Sequence, residues 1–256
     1  MTDRGRPGRL KSIFIKIAAS LLVLAVLAAA GFLLYVRFAT RQAEAAFLAM
    51  IEMDENISIT EESGYFLLEP SAANPGSKPI IYYPGGLVAP EAYLYKMGRV
   101  SLCLQKPVYI IKAPFNAAIF DINAADRIMA RYNLEQARVG GHSLGGISAC
   151  RYAAQNPEKV FQLFLFGSYC DRDVAGFTGP VTSVMGLEDR IIDWDNYRAA
   201  KANLPAGAII LEVEGLNHSA FGNYGLQVGD GPAGLTDREI IEIICSVFSD
   251  YGGDRD

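Results

Sequence analysis

Three separated stretches of the 256-residue chain carry side chains that could break an acyl bond together. The first is "GGHSLGG", in which Gly141-His142-Ser143-Leu144-Gly145 forms a G-x-S-x-G pentapeptide. An apolar run, Ala137–His142, precedes it, and a helical pattern, Leu144–Gln155, follows. A serine between a strand and a helix, with glycines two residues away on either side, fits a sharp turn that lifts the hydroxyl clear of a sheet edge. The turn also puts the serine at a helix N-terminus, where the Leu144 N–H points at developing negative charge. A serine hydroxyl attacks slowly without a base, and the chain has two histidines. His142 adjoins Ser143, and its side chain is expected to project away from the serine oxygen. His218, in "EVEGLNHSAFGNYG", is therefore the expected base.

An imidazole base needs a carboxylate to fix its tautomer. Between the serine and His218, the strand "PVTSVMG" runs into "LEDRIID". Asp189 is the expected acid, with Glu188 and Asp193 as competitors; the order serine, acid, histidine is a known one for such triads. The oxyanion formed on attack needs a second N–H besides that of Leu144. "YYPGGLVAPEAY" offers one, from Gly86 or Leu87, in a glycine turn that lets backbone approach a substrate.

These residues require a scaffold of strands and helices. Apolar runs at 64–70, 78–86, 106–114, 137–142, 160–169, 179–186 and 207–215 read as strands, and helical patterns at 89–105, 123–132, 144–155, 194–202 and 236–251 alternate with them. Continuously apolar strands separated by helices indicate an α/β fold, a mostly parallel sheet covered on both faces. The connection from Tyr169 to Gly179 is too short for a cap domain. The glycine-rich 221–234 stretch reads as an ordered loop beside the site.

The motifs "YYPGGLVAPEAY", "APFN", "GGHSLGG", "VMGLEDRI" and "EGLNHSAFGNYG", spread over residues 64–250, together resemble the α/β-hydrolase superfamily. The likeness is to its small dienelactone-hydrolase-like, fold-5 members. The resemblance implies a Ser143–His218–Asp189 hydrolase working through an acyl-enzyme, with no cofactor. Dienelactone hydrolases use a cysteine nucleophile, so their activity does not carry over. Serine at the nucleophile position also argues against dehalogenase or epoxide hydrolase chemistry, which uses aspartate there. Ester hydrolysis is the first expectation. Thioester or amide cleavage and acyl transfer need the same residues, and a tethered binding module on a hydrolase scaffold is the non-catalytic alternative.

The N-terminus has a different character. Arg4, Arg6, Arg9 and Lys11 precede Ile17–Val36, about 20 residues without a charge, long enough to cross a bilayer. The excess of basic residues before the run predicts a cytoplasmic segment 1–16, a transmembrane helix 17–36, a helical stalk 37–56 and an extracytoplasmic hydrolase domain 57–256. A signal peptide cleaved near Ala28-Ala29-Ala30 is the rival reading. The expected partners are the membrane, through residues 17–36, and a small or lipid-like acyl substrate. A net charge of −5 without a basic patch argues against nucleic acid. Two histidines, one assigned to the triad, leave little for a metal. Cys103, Cys150, Cys170 and Cys245 form no CxxC motif and read as buried thiols, with one or two disulfides open to an extracytoplasmic domain.

Overall fold

The computed structural model describes residues 7–74 and 78–249. It separates into two compact units, before and after the Thr40–Arg41 bond. The first holds one helix, α1 (Pro7–Ala39). Its Lys11–Ala39 segment is long and apolar enough to cross a membrane, and its apolar side chains are exposed, Leu22 at 66 % and Val26 at 59 %. The helix outruns the expected 17–36 span at both ends, because a charge-free window marks what a bilayer can hold and not where helical hydrogen bonding stops.

The second unit is built on an eight-stranded sheet in the order β1-β2-β4-β3-β5-β6-β7-β8. The strands are β1 (Ile57–Glu61), β2 (Tyr65–Pro70), β3 (Ile80–Tyr83), β4 (Val108–Ile111), β5 (Ala137–His142), β6 (Val160–Phe166), β7 (Val181–Gly186) and β8 (Ile209–Val213). From β4 to β8 all neighbours are parallel, whereas β2 runs antiparallel to both β1 and β4. Successive side chains on a strand point to opposite faces, which explains the uninterrupted apolar runs. In β6, Phe164 and Phe166 join one core cluster while Leu163 and Leu165 join the other. Helices α3 (Leu94–Leu104) and α7 (Asp237–Ser249) cover the first face; α4 (Ala124–Arg131) and α5 (Leu144–Gln155) cover the second. A short α6 (Trp194–Ala200) follows β7, and no helix interrupts residues 167–180, where a cap domain would sit.

Three expectations change. Residues 37–56 are not one continuous stalk. The chain leaves helical geometry after Ala39, and Arg41 forms a β-bridge with Val88. A separate helix, α2 (Ala45–Glu52), then packs on α3 and buries Ile51 in the first core cluster. Strand β1 had no sequence assignment, since an edge strand with one fully buried residue carries little hydrophobic signal. Finally, Cys150 and Cys170 form a disulfide that joins α5 to the loop after β6; Cys103, expected to be buried, is exposed and Cys245 is buried, and neither is in a disulfide among the described residues. The expected end of the last helix, residues 250 and 251, lies outside the described residues.

Candidate active site

Ser143 occupies the junction between β5 and α5 with φ 53° and ψ −123°. A non-glycine residue at positive φ is strained, and such strain persists only where the surroundings enforce it. They do so here. The Ser143 N–H donates to the Phe166 carbonyl at 3.0 Å, and the Ser143 carbonyl accepts from Gly146 N–H at 3.0 Å and from the Ser168 hydroxyl at 2.7 Å. The flanking glycines are a steric requirement. A Cβ on Gly141 would lie 2.3 Å from the Tyr83 carbonyl oxygen, and one on Gly145 would lie 2.0 Å from it and 2.4 Å from that of Pro84. The turn therefore packs directly on the end of β3, the strand that leads into the Gly85-Gly86 loop.

His218 begins a helical turn (His218–Phe221) after β8 and is 2 % exposed. Its Nδ1 lies 2.7 Å from Asp189 Oδ2. Asp189, 1 % exposed, sits three residues past the end of β7, and its other oxygen accepts the N–H groups of Ile191 and Ile192, each at 2.9 Å. The carboxylate against the histidine is thus Asp189's; Asp193 instead caps α6 by accepting from Asp195 and Asn196 N–H. With Nδ1 committed, the remaining ring nitrogen of His218 is the one that can exchange a proton with substrate.

His142 is fully buried. Its ring centroid lies 4.5 Å from that of His218 and 5.4 Å from Phe221. His142 and His218 therefore pack ring against ring, which brings the β5–α5 turn and the loop after β8 together. Burial, followed by the nearby His218 ring, pushes the His142 pKa well below its ordinary value. Its Nδ1 lies 2.9 Å from the Tyr93 hydroxyl, which also accepts the Gly85 N–H at 3.0 Å. The Tyr93 oxygen is thus shared between the Gly85 N–H and His142 Nδ1. Tyr93 thereby ties the glycine loop to the residue before Ser143.

The two expected oxyanion donors on that loop differ. Leu87 N–H donates to the Asn116 carbonyl at 2.7 Å and is already engaged. Among the described residues, neither Gly86 N–H nor Leu144 N–H is given to another protein group. These two residues adjoin each other, since a Cβ on Gly86 would lie 3.0 Å from Leu144 Cδ2. Gly86 and Leu144 are thus adjacent residues, each with an N–H not given to another protein group among the described residues.

Asp230 was not singled out in the sequence, although it lies in the glycine-rich stretch that follows the histidine. Oδ1 accepts N–H groups from Arg190 (3.3 Å), His218 (3.2 Å) and Gly231 (2.9 Å). Oδ2 accepts Ser219 N–H (2.8 Å) and the Ser219 hydroxyl (2.7 Å). One carboxylate thus joins the residue after Asp189 to His218 itself. Burial raises its pKa, but the Ser219 hydroxyl and the surrounding N–H donors outweigh it and hold the group below the usual carboxylate value. A signal existed, an isolated Asp between glycines twelve residues past a histidine, but it does not differ from an ordinary turn aspartate.

No curated protein matches the chain by sequence. Among solved structures, the carboxylesterase CesB from Bacillus subtilis is similar at TM-score 0.57 and 12% identity, over 80% of this chain and 95% of that one. A membrane phospholipase A described as a bacterial virulence factor is similar at TM-score 0.57 and 14% identity, over 91% and 99%. An esterase from Mycobacterium tuberculosis gives TM-score 0.54 and 13% identity, over 80% and 95%. At such identities the likeness is one of fold. Residues 79–242 match the family model described as the Alpha/beta hydrolase family, and the chain belongs to that family.

Proposed function

We propose that the protein is a membrane-anchored serine hydrolase that cleaves carboxylic esters through an acyl-enzyme. The observation that carries this reading is the buried His218–Asp189 pair, with His218 packed on the ring of the residue that precedes a serine held at φ 53° on a strand-to-helix turn. Ser143 Oγ attacks the acyl carbonyl while the free nitrogen of His218 takes its proton. Asp189 holds the imidazole orientation and stabilises the imidazolium. The oxyanion is met by the N–H groups of Leu144 and Gly86; one such donor contributes about 3 kcal/mol to the barrier reduction. His218 then protonates the leaving alcohol, the tetrahedral species collapses to acyl-Ser143, and a water activated by His218 releases the acid.

Membrane anchoring through residues 17–36 rests on the length and apolar character of α1. An extracytoplasmic site rests on the basic residues before that segment and on the Cys150–Cys170 disulfide, a bond that persists in oxidising compartments. Similarity to a membrane phospholipase A over most of both chains favours a lipid-like acyl substrate. The test is hydrolysis of esters of graded acyl length by the full chain in detergent, with Ser143→Ala as control. Turnover that depends on Ser143 supports the reading. No turnover of any ester in the series by folded protein would refute it.

A further inference from the structure

Among the described residues after Thr40, seven large apolar side chains are exposed. Two lie on or directly after α2; the other five all lie on loops that leave the C-terminal ends of β4, β7 and β8. Because β4 through β8 are parallel, those loops share one edge of the sheet with the turn after β5 that carries Ser143. The clustering is tighter than a shared edge. Each of the three loops is bonded to a different part of the catalytic site.

Phe115 (41 % exposed) and Phe120 (63 %) meet edge to face, with ring centroids 5.9 Å apart. The residue beside Phe115, Asn116, accepts the Leu87 N–H of the oxyanion loop at 2.7 Å. Phe115 and Asn116 both have positive φ, 57° and 51°, an uncommon conformation for a bulky residue and one that requires enforcement. Leu187 (49 %) comes two residues before Asp189. Leu226 (63 %) and Val228 (95 %) flank Gln227, whose N–H donates to the Ser219 hydroxyl at 2.8 Å, next to His218. Apolar side chains thus stand in water around the oxyanion loop, the acid and the base. Grouped exposure of this kind marks an interaction surface, whereas isolated exposed apolar residues need no explanation.

The path of the chain identifies what covers the rim. The charge-free segment ends at Val36, and four residues, 37–40, separate it from Arg41. Arg41 N–H donates to the Leu87 carbonyl at 2.8 Å, and the Arg41 carbonyl accepts Ala89 N–H at 2.9 Å. The chain therefore joins the hydrolase domain at the oxyanion loop itself, on the rimmed edge. Five residues of extended chain reach about 17 Å, so the tether limits how far a bilayer holding residues 17–36 can lie from that entry point.

We propose that this rim docks the catalytic mouth onto the lipid bilayer, so that the enzyme draws its acyl substrate from the membrane surface. The proposal rests on the serine-hydrolase reading for the word substrate, and on the rim and the entry of the chain for the docking. The attraction is apolar, so it operates on zwitterionic lipid and is insensitive to salt.

The test uses the full chain reconstituted in phosphatidylcholine vesicles. In a Cys103→Ser background, single cysteines replace Val228, Phe120 and, on the opposite edge before β5, Glu135. Each is labelled with bimane and challenged with nitroxide-bearing phosphatidylcholine. Quenching at 228 and 120 but not at 135 is expected. Independently, Val228→Asp combined with Phe120→Asp should lower hydrolysis of vesicle lipid about tenfold or more, from the lost burial of two side chains, and leave hydrolysis of a soluble acetate ester unchanged. No quenching at either rim position overturns the proposal. So does disulfide formation between rim cysteines of two copies without quenching, which would assign the rim to a second copy of the chain. Fluorophosphonate labelling of Ser143 is scored separately. Quenching without labelling supports docking while refuting the hydrolase reading; labelling without quenching does the reverse.

Discussion

Replacing Asp230 by asparagine separates the positioning of the catalytic histidine from its chemistry. The carboxylate accepts five hydrogen bonds, three on Oδ1 and two on Oδ2. An amide oriented with its oxygen at the Oδ1 position retains the donors from Arg190, His218 and Gly231. It then places an NH2 against the Ser219 N–H and hydroxyl. The hydroxyl can rotate to accept, but the N–H cannot, so one donor is left facing another. Two charge-assisted bonds at about 1.5 kcal/mol each, discounted for the partial exposure of this loop, give a loss of about 2 kcal/mol. For a domain of this length, each kcal/mol lowers the melting temperature by about 2–4 °C, so a fall of about 4–8 °C is expected. The consequence for catalysis comes through His218, whose own N–H is held by Asp230. A small displacement of the imidazole should lower kcat on a soluble ester by about tenfold to a hundredfold, with KM nearly unchanged because the acyl site is not touched. Thermal unfolding followed by steady-state kinetics at 25 °C reads both effects. A variant that melts lower but keeps wild-type kcat would show that Asp230 only stabilises the loop. One that melts within a degree of wild type would refute the hydrogen-bond reasoning itself.

Other perturbations follow from the same contacts. Gly145→Ala puts a methyl 2.0 Å from the Tyr83 carbonyl oxygen, so the end of β3 must move; the variant should be destabilised by several kcal/mol and should lose fluorophosphonate labelling, and wild-type melting with wild-type labelling would contradict this. The depressed pKa of His142, due first to burial, means that below its ordinary value of 6.5 the unfolded chain takes up a proton that the folded protein refuses. Stability conferred by the neutral ring is therefore present above that pH and falls as the pH drops, by up to about 1.4 kcal/mol per pH unit. Urea midpoints at neutral and mildly acidic pH should show this loss in the wild type and a shallower one in His142→Gln; equal slopes would contradict it.

Much of the site was legible because each element depends on strong local constraints. Only glycine fits at 141 and 145, where any Cβ meets the backbone of β3 and its following turn, so the sequence pattern and the steric requirement coincide. The parallel strands were readable because both faces are covered, which leaves runs such as "VFQLFLF" without polar interruption. Asp189 followed from its place beyond β7, and the choice over Asp193 became clear from the capping role of the latter. What escaped notice depends on contacts distant in sequence. Tyr93 is one tyrosine among thirteen until its hydroxyl meets Gly85 and His142, and Leu87 looked equivalent to Gly86 until Asn116, from another loop, took its N–H. Residues 45–52 have an apolar helical pattern that suits a stalk as well as a packed helix, and only the burial of Ile51 decides between them. The Cys150–Cys170 pair likewise depends on how the loop after β6 returns to α5.

The central claim is that Ser143 is a nucleophile activated by His218. The most direct measurement is covalent labelling of the full chain by a fluorophosphonate, with the modified residue located by mass spectrometry. The probe reacts with a serine only where a base and an oxyanion site raise its reactivity. Adduct formation at Ser143 in the wild type is expected, together with its loss in Ser143→Ala and in a folded His218→Gln variant. An adduct at another residue, or labelling of Ser143 that persists at the wild-type rate in His218→Gln, would contradict the account.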